Sequence, residues 1–108
     1  MISILIAEED DHIQEIDVNI HPRLNEIFRI LKGTATFVGQ LPNTDIVILK
    51  ADESPFELTL NRNKLPPPFD NEIVHGPILL VRMDHNADHQ DFRIEEYRHY
   101  LQEQPVHI

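Results

Sequence analysis

The segment Gly76-Pro77-Ile78-Leu79-Leu80-Val81 constrains the fold more than any other stretch. Four consecutive apolar side chains, opened by a Gly-Pro breaker and followed closely by Arg82 and Asp84, resemble both a buried helix segment and a strand, and their length favours the strand. They suit a strand covered on both faces. Such a strand has to lie inside a sheet, with apolar layers above and below it.

The rest of the chain supplies candidate partners. Ile2–Ala7 carries isoleucine at alternate positions and reads as a first strand. Four acids follow at residues 8–11 and form a turn or exposed loop. His12–Asn19 is a second strand, with Ile16, Val18 and Ile20 at even positions, pairing with the first as a hairpin. Pro22 suits a helix first turn, and Leu24, Ile27, Phe28 and Leu31 recur with helical spacing. Lys32 and Gly33 close that helix, with Gly33 expected to take the left-handed cap. Thr34–Leu41 and Asp45–Ala51 form a second hairpin around Pro42-Asn43-Thr44, and Gly39 marks a bulge or close approach. Phe56, Leu58 and Leu60 alternate with polar residues, as in a short strand or extended edge. Residues 61–72, with prolines at 66–68, form a loop into the central strand. Ile94, Tyr97 and Leu101 share one face of a closing helix, with Asp91 as a candidate cap and Pro105 as its stop.

Together these elements predict a single small α+β domain over residues 1–108. It has an antiparallel or mixed sheet of about five or six strands packed by two helices, and a tail from about residue 104 that frays.

With 19 acids against nine lysines and arginines, the formal charge is −10. That opposes direct nucleic-acid binding and attachment to anionic membranes, and it permits a basic protein partner or mimicry of DNA. Cysteine is absent, which removes disulfides, thiolate nucleophiles and cysteine-ligated zinc. No leader pattern or bilayer-length apolar run is present, so a cytoplasmic or other intracellular setting in a host is expected.

Chemistry-bearing motifs are weak. Asp84, Asn86, Asp88 and Glu95 match positions 1, 3, 5 and 12 of a calcium loop, but His89 stands where glycine is required, and the preceding element reads as a strand. His85 and His89 with Asp84, Asp88 and Asp91 are metal-ligand types in a polar loop, without the fixed spacing of a zinc site. Phosphate loops, zincin helices and hydrolase elbows are missing, and Ser3 and Ser54 are the only serines. No catalytic residue, metal ligand or cofactor is therefore assigned. His75 is expected to be partly buried or bonded locally beside Gly76. The loop Asn61–Phe69 is the better binding candidate: Arg62 and Lys64 are two of nine bases in an acidic chain, and Phe69 offers an apolar anchor.

The stretches ATFVGQ (35–40), DIVILK (45–50), ELTLNRNKLPPPF (57–69), GPILLVRMD (76–84) and DFRIEEY (91–97) resemble small uncharacterised proteins of algae and their large DNA viruses. They are more distantly similar to a bacterial and phage domain of unknown function. The resemblance covers roughly residues 24–101 and is strongest at Asn61–Pro68 and Gly76–Asp84, where an asparagine-containing, proline-flanked loop precedes the apolar strand. It implies a compact α/β or α+β module and carries no activity, cofactor or catalytic set.

The reading is a noncatalytic accessory or interaction module with a protein partner, contacted through Asn61, Arg62, Lys64 and Phe69. The alternatives are a small metal-assisted hydrolase using residues 84–91 and an acidic DNA-mimic inhibitor. A homodimer through the Thr34–Leu41 or Phe56–Leu60 edge is compatible with the pattern.

Overall fold

Period-two apolar patterning builds a six-stranded antiparallel sheet. A computed structural model describes residues 1–9, 12–19, 21, 23–84, 86 and 88–103. The elements run β1 (Ile2–Ile6), β2 (Ile13–Asp17), α1 (Glu26–Leu31), β3 (Thr34–Gln40), β4 (Ile46–Glu53), β5 (Ile78–Met83), β6 (His89–Gln90) and α2 (Ile94–Gln102). The strand order is β2-β1-β5-β4-β3, with β6 paired to β5. β5 lies between β1 and β4, with Ile4 opposite Leu80 and Val47 opposite Val81.

Alternate side chains of the inner strands feed two apolar layers. Ile4, Ile6, Ile46, Ile48, Ile78 and Leu80 pack with Leu65, Val74, Phe92 and Tyr97 on the face covered by α2 and the connection before β5. Val47, Leu79 and Val81 pack with Leu31, Ile27 and Ile30 beneath α1. Ile78 to Val81 are all buried, as expected of a strand enclosed on both faces. Among the described residues, no helix is long and apolar enough to cross a membrane.

Several local expectations change. α1 starts at Glu26, with Asn25 in the left-handed region (φ 53°), and Pro22 lies outside the described residues. Its six residues point Ile27, Ile30 and Leu31 inward. Leu24, expected in the stripe, is 42% exposed. The left-handed cap is Lys32 (φ 62°), not Gly33. Gly33 is required for room instead, since a Cβ there would meet the Glu53 carbonyl oxygen and the Ala51 side chain.

Phe56–Leu60 does not form the expected strand; among the described residues its pairing is an isolated Leu60–His75 bridge. The sixth strand is His89–Gln90, within the expected polar loop. His75 is exposed.

Gly39 fulfils both readings. The β3–β4 register shifts between Phe37 and Gly39, and a Cβ at Gly39 would collide with the Phe69 ring.

α2 is capped both by its own first turn and from elsewhere in the fold. Arg93 precedes it in extended conformation, and the Glu96 carboxylate accepts the Arg93 N–H at 3.3 Å. Glu15 of β2 accepts the Ile94 N–H at 2.8 Å. Asp91, the expected cap, accepts the Ile2 N–H at 2.7 Å instead, holding the start of β1. Tyr97 is buried, whereas Leu101 remains 40% exposed because the inward path passes from Ile94 and Tyr97 to Tyr100. Pro105 and the tail from 104 lie outside the described residues.

Candidate functional site

The connection from β4 to β5 has little regular structure, so its backbone polar groups need other partners. The Leu60–His75 bridge ties its two limbs: Asn61 N–H donates to the Val74 carbonyl at 2.8 Å, and Gly76 N–H to the Thr59 carbonyl at 2.7 Å. Gly76 adopts φ +92°, and a Cβ there would crowd Leu58, so glycine serves both the turn and the packing.

Asn61 is the brace of the loop. It is buried, and its side-chain amide donates to the carbonyls of Ile6 (3.2 Å) and Gly76 (3.0 Å). Its Oδ1 accepts the Asn63 N–H at 2.9 Å. Asn63 extends the clamp by donating to the carbonyls of Ala7 (2.8 Å) and Glu9 (2.7 Å). Between them the Arg62 N–H donates to the Glu8 carbonyl at 2.9 Å. The loop is thus fastened to the segment that follows β1.

Extended backbone alternates its side chains. With Asn61 and Asn63 turned into the body, Arg62 and Lys64 are exposed. Neither forms an ion pair among the described residues. Leu65 enters the core, and Phe69 packs on the same layer over Gly39. Of the four sequence-chosen residues, Arg62 and Lys64 face solvent, Asn61 positions the backbone, and Phe69 belongs largely to the packing.

The opposite end of the sheet holds a cleft of about 480 Å³ between the β3–β4 turn and α2. Its wall includes Arg82, which the sequence reading passed over. The Arg82 guanidinium donates to Asp45 (3.0 Å), Glu96 (2.6 Å) and the Asp91 carbonyl (3.0 Å), and it lies 5.3 Å from the Phe92 ring centre. The hydrogen bond to Glu96 raises the Arg82 pKa, and the same bond holds the Glu96 carboxyl below its ordinary value. With these bonds already made, Arg82 acts as a staple between β5, the start of β4 and α2, rather than as an open anion receptor. The sequence signal was a cation on an otherwise apolar strand.

Two acids of the 84–91 loop, Asp84 and Asp91, have structural duties. Asp84 Oδ1 accepts the N–H groups of Asn86 (2.9 Å) and Asp88 (3.0 Å), and Asp91 is tied to Ile2. His85 lies outside the described residues. Among the described residues, no three histidines or acids gather as a metal-ligand group.

A family model described as "Family of unknown function (DUF5880)" matches residues 4–100. The chain belongs to this family. No curated protein and no solved structure matches it. The DUF5880 span takes in both the braced loop and the Arg82 staple.

Proposed function

We propose that the protein is a noncatalytic interaction module that presents the Asn61–Phe69 loop to an acidic region of a protein partner. The observation carrying this reading is the alternation along the loop: Asn61 and Asn63 are bonded into the body, while Arg62 and Lys64 stand exposed between and beyond them. A fixed backbone lowers the ordering cost of binding, and exposed cations steer an acidic partner. Phe69 supports the loop from beneath by packing over Gly39. An accessory role connected with large DNA viruses or their algal hosts, inside the cell, is supported by the resemblance over residues 24–101.

The test is the double variant Arg62→Glu/Lys64→Glu, with circular dichroism and urea unfolding to show that the fold is retained. A partner captured by the wild-type protein is identified, purified and titrated by calorimetry. The double variant should weaken binding about tenfold or more, with a smaller loss at high salt. Unchanged affinity would remove the loop from the interface. Competition with DNA for the same partner would move the reading to DNA mimicry.

A further inference from the structure

A second exposed feature lies near the braced loop. Glu8 joins the two: its carbonyl accepts the Arg62 N–H at 2.9 Å, and its carboxylate lies 3.8 Å from Lys32 Nζ. Lys32 ends α1, and beside it opens a groove of about 440 Å³ lined by Phe28, Arg29, Lys32 and Phe56. Phe56 is 60% exposed. Ser54 fixes it beside the helix end, because the Ser54 hydroxyl donates to the Lys32 carbonyl and accepts the Phe56 N–H at 3.0 Å. The aromatic side chain is therefore presented from a hydrogen-bonded turn.

The groove's walls are aromatic and, among the described residues, its charged lining residues are both cations, in a chain with formal charge −10. Arg29 is exposed and makes no ion pair among the described residues, although acids outnumber lysines and arginines by 19 to nine. Lys32 makes one long contact, to Glu8. An exposed apolar surface bordered by cations matches an occupant that brings an apolar side chain and neighbouring carboxylates.

We propose that the Phe28–Phe56 groove is the anchor pocket of the docking surface, receiving an apolar side chain from an acidic protein segment whose carboxylates meet Arg29 and Lys32. This rests on the interaction reading above and extends it by naming the partner's chemistry. Charge selects that occupant. Among the described residues, Arg29 and Lys32 border the groove and no carboxylate lines it, so its local field favours an acidic segment.

The test titrates the isotope-labelled full chain with three short synthetic peptides: an acidic one with a central phenylalanine, the same peptide with alanine there, and a basic counterpart containing phenylalanine. The acidic phenylalanine peptide should saturate and shift the amide signals of Phe28, Arg29, Lys32 and Phe56. Alanine in the peptide, or Phe56→Ser or Arg29→Glu in folded protein, should each weaken binding about tenfold. Absence of saturation, shifts confined to other residues, or equal binding of the basic peptide would overturn the proposal. So would binding of phosphatidylserine vesicles in preference to the peptide, or self-association of the free protein through Phe56. With the purified partner, Phe56→Ser and Arg62→Glu/Lys64→Glu separate the two readings. Loss only in the loop variant removes the groove, and loss only in the groove variant removes the loop.

Discussion

Replacing Asn61 tests the brace on which the loop depends. Asn61→Ala deletes two donations to main-chain carbonyls and the acceptor for the Asn63 N–H. At about 1 kcal/mol net for each hydrogen bond, the loss is about 2–4 kcal/mol. A domain with about 5–15 kcal/mol of stability should still fold. Asn61→Asp is the sharper change. It keeps the shape but turns an acceptor oxygen toward the carbonyls of Ile6 and Gly76, so its carboxyl should be held protonated well above the ordinary value of about 3.9. Its penalty should be small in acid, where the protonated group can donate, and grow as pH rises through the folded-state pKa. Urea unfolding followed by far-ultraviolet circular dichroism at several pH values measures both effects. Asn61→Ala within about 0.5 kcal/mol of wild type would refute the brace, because removing these buried bonds should cost several times that. An aspartate variant with the same pH dependence as wild type would refute it equally.

Burial raises the Tyr97 hydroxyl from 10.0 to about 12, so the unfolded chain loses that proton first as pH rises. Stability should fall by about 1.4 kcal/mol per pH unit between about pH 10 and 12, and urea unfolding of Tyr97→Phe should lack this slope. Glu96, held below the ordinary carboxylate range by Arg82, contributes stability that is present above its unfolded-state pKa and lost as pH falls through the lowered folded-state value. Thermal melting of Glu96→Gln across the acid range should therefore show a shallower loss than wild type. Gly39→Val forces a side chain into the Phe69 ring and should cost about 1–3 kcal/mol. In a urea double-mutant cycle, Phe69→Ala should relieve part of that cost, and strict additivity would contradict the contact.

The sheet's apolar strands were legible because period-two patterning is a local property. Ile78–Val81 and the bulge at Gly39 carry their signals in neighbouring residues. Phe56, Leu58 and Leu60 show the same alternation without a strand. Leu58 packs over Gly76, while Phe56 and Leu60 stay exposed, so the pattern alone could not distinguish a ladder from one local contact. The helix ends were harder because their partners are remote. Glu15 serves α2 from β2, and Gly33 is constrained by Glu53 and Ala51 rather than by a positive φ. Asn61 was singled out within its loop, but its acceptors at Ile6 and Gly76 exist only after folding. Arg82 was overlooked because Asp45, Asp91 and Glu96 converge on it from separate elements.

The strand order has a consequence for assembly. β1–β2 and β3–β4 are hairpins whose halves are close in sequence, but in the sheet they are joined through β5, which begins about 25 residues after β4 ends. Until Ile78–Met83 slots between them, each hairpin keeps an open inner edge and neither apolar layer is continuous. β5 is thus the keystone that turns two local ribbons into one cooperative body.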